Sequence, residues 1–117
     1  MKIAQVRRYA LSLPETTEEP HFDYASFRVR NKIFVTIPPE ETHIHVFVAD
    51  KAREMALMLY PEFVEKLVWG GRVCGVRVRL AAASLPVVKI LVRDAWTRRA
   101  PKRLVTGGAP RIGECAP

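Results

Sequence analysis

The chain has 117 residues, the length of one ordinary domain. Its 49% apolar residues supply a single core, and its 26% charged residues keep that core in water. Nineteen Lys and Arg against twelve Asp and Glu leave a net charge of +7, which points to an anionic partner: nucleic acid, a phosphorylated ligand or an acidic protein. No apolar run approaches the ~18–20 residues that span a bilayer. The first residues, interrupted by Gln5, Arg7 and Arg8, do not form the apolar centre of a signal peptide, so the cytoplasm is the expected compartment. Two cysteines, Cys74 and Cys115, make no disulfide framework.

In chain order, residues 2–12 read as a first helix, with Ile3, Val6, Ala10 and Leu13 at helical spacing and Lys2, Arg7 and Arg8 on the other side. Pro14 stops it. Glu15 to Glu19 then form an acidic, solvated connection, or the entry to a short edge strand through His21 and Phe22. Ser26–Val29 and Ile33–Ile37 alternate as strands around a three-residue turn, Arg30–Asn31–Lys32, in which Asn tolerates the left-handed backbone. That register places Phe27, Val29, Ile33, Val35 and Ile37 on one face and Arg28, Phe34 and Thr36 on the other. After Pro38–Pro39–Glu40–Glu41, a third strand, His43–Val48, turns His43, His45 and Phe47 outward.

Asp50 is the expected N-cap of a helix over residues 51–59 whose apolar face is Ala52, Met55, Ala56 and Leu59. Residues 63–68 read as a short helical or irregular piece leading into Trp69. From Trp69 to Leu80 the chain alternates again, with Cys74, Val76, Val78 and Leu80 on one side and Val73, Gly75, Arg77 and Arg79 on the other. Cys74 is expected in the core. Ser84 caps a last helix over residues 85–99, in which Leu85, Val88, Leu91, Val92, Ala95 and Trp96 form the apolar stripe and Pro86 sits in the first turn. Trp69 and Trp96 are both read as core anchors. Residues 1–104 are the expected domain, and the Gly- and Pro-rich residues 105–117 a disordered tail. Helices segregated onto one face of an antiparallel sheet make the class α+β.

The charge is not spread evenly. Residues 1–65 hold 8 Lys and Arg against 10 Asp and Glu, whereas residues 66–104 hold 10 against 1. The strand with Arg77 and Arg79 opens the basic half.

Against this order, several segments are similar to the MmcQ/YjbR family of small bacterial proteins: ALSLPET and EEPHF, SFRVRNKIF, WGGRVCGVRVRL, and the closing AW-x-RRAPKRL. The resemblance spans nearly all of residues 1–104. It implies a CyaY-like (frataxin-like) α+β sandwich and a role described as DNA-binding. The family's hairpin turn is commonly Gly-rich, whereas this chain has Arg30–Asn31 there.

Catalytic constellations are not evident. His43 and His45 lie two apart on one strand face, as a pair of metal ligands would, but nothing nearby has the spacing of a third ligand. They are read as exposed polar residues, and His21 as structural. The carboxylate pairs Glu18–Glu19 and Glu40–Glu41 lie beside proline in solvated connections. Gly70–Gly71 precedes a strand, so it is no phosphate-cradling P-loop. Ser12, Ser26 and Ser84 lack His and Asp partners. Frataxins are described as binding metal along an acidic first helix, whereas Lys2, Arg7 and Arg8 make this one basic. The sequence thus predicts no enzyme, no metal and no cofactor. It predicts a small DNA-binding protein with little base specificity, monomeric or homodimeric. Arg28, Arg30, Lys32, Arg72, Arg77 and Arg79 would meet phosphates, supported by Phe34 and Phe47 on an open sheet face. The cluster Arg98, Arg99, Lys102 and Arg103 is a second basic patch. The competing expectation is a protein-interaction or small-ligand module using the same face.

Overall fold

The computed structural model describes residues 1–104; the expected tail lies outside them. Three helices, α1 (Ile3–Ser12), α2 (Asp50–Leu59) and α3 (Leu85–Arg99), accompany six strands: β1 (Thr16–His21), β2 (Tyr24–Val29), β3 (Lys32–Ile37), β4 (His43–Val46), β5 (Val64–Trp69) and β6 (Arg72–Arg79). The strands form one antiparallel sheet in the order β1-β2-β3-β4-β6-β5. This is an α+β fold. Among the described residues no helix is long and apolar enough to cross a membrane.

The sheet has one strand that the sequence does not announce, β5, and settles one alternative, β1. The acidic connection is the edge strand β1, whose Pro20, Glu18 and Glu19 suit an edge that must not recruit another chain. The piece before Trp69 is the other edge strand, β5, hydrogen-bonded to β6 around Gly70–Gly71. Its pattern VEKLVW has too few alternating apolar positions to announce a strand. Pairing with β6 supplies what its own side chains do not.

One core lies between the helices and the inner sheet face. Val6 and Ala10 of α1, Ala56 of α2, and Val88, Leu91, Val92, Ala95 and Trp96 of α3 meet Phe27, Val29, Val35, Ile37, Ile44, Val46, Val64, Val76 and Val78. Each buried Val, Leu, Ile or Phe side chain among them contributes on the order of 1.5–3 kcal/mol. The helix α3 runs over the span the sequence predicts, and Ser84 Oγ accepts from the Val87 amide at 3.4 Å. Trp96 is buried and its indole N–H donates to Pro14 O at 3.1 Å, tying α3 to the end of α1.

Asp50 is not the cap of α2. The N-cap is Ala49, and Asp50 is instead paired with Arg53 at 2.8 Å. The carboxylate that serves this helix start comes from α3: Asp94 Oδ2 accepts from the Ala49 amide at 3.3 Å. Met55 and Leu59, expected on the buried stripe of α2, are exposed.

Candidate nucleic-acid interface

Two hairpins build the surface in question, and both differ from plain alternation. In β2–β3 the turn is two residues, Arg30 and Asn31, both in the left-handed region at φ 50° and 67°, so Val29 faces Lys32 rather than Ile33. The register then slips: Arg28 faces Ile33 and Phe27 faces Val35, which leaves Phe34 as an unpaired bulge residue. The slip exchanges two side chains between faces. Phe34 joins Val35 in the core, and Ile33 moves to the outer face with Phe47, Leu67 and Cys74. The expectation of an outward Phe34 and an inward Ile33 is thereby corrected.

The hairpin β5–β6 repeats the device. Its turn, Gly70–Gly71, has φ of 56° and 80°; Trp69 faces Arg72, Val68 faces Val73, Leu67 faces Gly75, and Cys74 is the bulge residue. Cys74 is buried as expected, but in the small outer cluster and not in the main core. Gly75 lets the strands close: a Cβ there would collide with Val46 O and lie 3.0 Å from Phe47 Cα.

Across the outer face runs one row of cross-strand neighbours, Glu65, Arg77, His45, Thr36, Ser26 and Glu19. This face is not an open platform. Ser26, Thr36 and Phe47 are inaccessible to solvent. Trp69 stacks on Phe47, with ring centroids 5.5 Å apart and planes at 23°. Arg28 reaches along the face, donating to Ser26 Oγ at 3.1 Å and Pro20 O at 3.2 Å. His45 is half-buried beside the Tyr24 ring at 5.9 Å, and its Nε2 has no hydrogen-bond partner. Burial, with Arg77 adding repulsion, pushes its imidazole pKa down to about 4. Burial and Arg77 lower His43 as well. His45 is not the solvated polar residue the sequence suggests, whereas His43 stays near solvent, its Nδ1 2.9 Å from Thr42 Oγ1. A neutral His45 adds no charge toward phosphate.

Of the six cations expected to meet phosphate, Arg28, Arg77 and Arg79 lie on the outer side of the sheet, each already engaged. Arg77 Nη1 donates to Glu65 Oε1 at 2.8 Å, and Arg79 Nη2 to Glu62 O at 2.7 Å. The other three converge elsewhere. The strands β3 and β6 both run antiparallel to β4, so they start at the same end of the sheet, two strand spacings or ~10 Å apart. Arg30 and Lys32 at one hairpin and Arg72 at the other therefore share that end. The C-terminus of α3 reaches it too, because Arg98 Nη1 donates to Phe47 O and Val48 O at 3.1 and 3.2 Å. Lys102 and Arg103 follow in a short 3₁₀ turn. The carboxylate of Glu15 stands here, 3.5 Å from Arg30 and 2.8 Å from Arg103, and Asp94 lies beside Arg98. Lys32 and Arg72 are exposed and make no ion pair among the described residues.

The opposite end gathers most of its charge as carboxylates, with Arg79 and the Met1 ammonium, which donates to Leu80 O at 2.8 Å, among them. The β1–β2 turn, the β3–β4 loop and the entry to β5 bring Asp23, Glu40, Glu41 and Glu62 there. Sequence reading finds the basic half of the chain but not this polarity, which arises only when the strands are laid side by side. It also takes Trp69 for a core anchor, whereas Trp69 is 37% exposed.

A protein-family model described as YjbR matches residues 11–98. No curated protein and no solved structure matches the chain.

Proposed function

This chain belongs to the YjbR family, and from that premise we propose that it is a non-catalytic DNA-binding protein that grips phosphates with the basic end of its sheet and reads few or no bases. The observation that carries the reading is the convergence of Arg30, Lys32 and Arg72 on one end, with acidic residues gathered at the other. Such a separation orients the molecule toward a polyanion before contact and supplies salt-dependent affinity after it. Two hairpin tips and a helix C-terminus present no recognition helix for a groove, which favours phosphate contact over base readout. Arg77 lies farther along the outer face and Arg79 at the opposite end beside Glu62, while Arg28 braces the β1–β2 pair. The CyaY-like sandwich that the family resemblance implies belongs to the same proposal, supported by a helix at each end of the chain packed on one face of the sheet.

The test is anisotropy titration of labelled duplex DNA at two salt concentrations. Wild type, Lys32→Glu/Arg72→Glu and Arg77→Glu/Arg79→Glu would be compared, with circular dichroism as the folding control. Micromolar binding that weakens with salt and is lost in the first pair supports the basic end. Binding lost only in the second pair moves the contact to the sheet face. No binding by wild type at low salt overturns the reading.

A second reading, a protein-interaction module, rests on a different feature. A groove of about 440 Å³ between α2 and α3 is lined by Ala52, Met55, Leu59, Val87, Ile90 and Leu91. Met55, Leu59 and Ile90 are exposed along it, and Met58 lies exposed next to it on α2. Size-exclusion chromatography with light scattering at several concentrations, comparing wild type with Met55→Lys, tests whether this surface joins two copies.

A further inference from the structure

Trp69 presents part of its indole to solvent at the hairpin end of the sheet. It is the last residue of β5, directly across from Arg72 at the turn, and follows Val68, itself 56% exposed. One face of the ring is occupied by Phe47, which is fully buried. The exposed part of Trp69 is therefore its other face and its edge. The ring rests against Phe47, which packs with Ile33, Leu67 and Cys74. The turn beyond it is open, with nothing within 4 Å of where a Cβ on Gly70 or Gly71 would lie. The cations Arg72, Lys32 and Arg30 stand at the same end.

An aromatic ring backed on one face, beside a cation, Arg72, with no ion pair among the described residues, is the arrangement that stacks an unpaired base while the neighbouring phosphate is neutralised. A paired base inside a duplex offers no such face. We infer that Trp69 is a stacking platform for a base of single-stranded nucleic acid, with Arg72 on the adjoining phosphate, so that the protein prefers single strands or frayed ends over intact duplex. The inference rests on the proposed use of the basic end and adds to it the class of nucleic acid.

The experiment titrates the protein with short oligo(dT) and with a duplex of the same length at low salt, reading anisotropy and tryptophan emission together. Trp96 is buried, so a change in emission on binding reports Trp69. The expected result is tighter binding of the single strand, with saturable quenching. Trp69→Ala should weaken single-strand binding about tenfold, the effect of one lost base stack, and leave duplex binding within about twofold. Trp69→Phe, which keeps a ring against Phe47, should retain most of the affinity and lose the quenching. Equal affinity for single strand and duplex, indifferent to Trp69→Ala, overturns the stacking role and leaves the basic-end reading standing. Failure of every polyanion to bind at low salt overturns both. If Trp69→Ala instead converts a dimer to a monomer in size-exclusion chromatography, the indole covers a second copy and the inference falls.

Discussion

The hairpins β2–β3 and β5–β6 are built to one plan and serve opposite sides of the sheet. Each has a two-residue left-handed turn and one bulge residue, Phe34 or Cys74, at the same distance from the turn. In the first hairpin the residue before the turn, Val29, and the bulge residue, Phe34, point into the helical layer and are buried. In the second, the counterparts Trp69 and Cys74 lie on the outer face, with Phe47. Identical backbone geometry thus gives a core anchor in one place and a presented aromatic in the other. What decides is which face the helices cover. The turns also differ in how they tolerate positive φ. Gly70 and Gly71 need no help. Arg30 and Asn31 are assisted by contacts, the Arg28 bond to Asn31 Oδ1 at 3.5 Å and the Arg30 pairing with Glu15.

The largest effect that separates the two comes just past the bulge. Val35 occupies that position in the first hairpin and Gly75 in the second. A side chain at Gly75 would run into the Val46 carbonyl and the Phe47 backbone, neither of which can rotate away. Gly75→Val should cost about 3 kcal/mol or more, seen as a lower urea midpoint, because β4 and β6 must part. Val35→Ala in the first hairpin should cost ~2 kcal/mol by the ordinary loss of buried surface. Similar modest losses at both positions would mean that the close approach at Gly75 is not a constraint.

His45 lies on β4 between the two hairpins, next to Thr36 and Arg77. Its folded pKa, about 4, is below the ordinary 6.5. The fold therefore favours the neutral ring, and that stability is complete above pH 6.5 and lost as pH falls through 4. Linkage sets the loss at no more than ~1.4 kcal/mol per pH unit, and solvent screening of a half-buried ring reduces it. His43, also lowered, acts in the same direction. Asp94, raised by burial, opposes them weakly, since its protonated form is favoured in the fold and the benefit fades as pH rises. Thermal unfolding followed from pH 7.5 to 4 should show a falling midpoint in wild type and a flatter profile in His45→Gln. An unchanged slope would remove His45 as the acid-sensitive group.

The turns themselves give a smaller contrast. Gly70→Ala/Gly71→Ala should destabilise by roughly 1–2 kcal/mol per residue for the left-handed backbone alone, since no atom lies near either position. Asn31→Gly should shift stability by less than about 0.5 kcal/mol, because Asn already tolerates that conformation. Chemical denaturation of the variants measures the difference.

Much of this fold was legible because its signals are local. The apolar stripe of α3, the Ser84 cap and Pro86 mark that helix without reference to the rest of the chain. The outward placement of Arg28, His43, His45, Phe47, Arg77 and Arg79 likewise follows from period two. Phe34, Ile33 and Cys74 were misplaced because a bulge carries no residue signature when its strand is otherwise β-branched and aromatic. The edge strand β5 was missed, and β1 stood only as an alternative to a solvated connection, because their hydrogen bonds come from a neighbour and not from their own pattern. The cations Arg30, Lys32 and Arg72 were legible as candidates, but their sharing of one end was not. Lys32 and Arg72 come to the same end only through the order β3-β4-β6, a long-range fact that no spacing encodes.

The finest difference between the hairpins is electrostatic. Arg30 at the first tip shares Glu15 with Arg103, whereas Arg72 at the second has no acid partner among the described residues. If the basic end binds phosphate, Glu15 competes for Arg30. Glu15→Gln keeps the side chain's shape and removes the competing charge. Stability should change by no more than ~0.5 kcal/mol, since exposed ion pairs contribute little. Affinity for DNA at low salt should rise about two- to threefold, and the salt dependence should steepen by about one counterion as Arg30 becomes free to engage phosphate. Unchanged affinity with an unchanged salt slope would assign the contact to the β5–β6 tip alone, with Arg30 serving only to hold the first turn against Glu15.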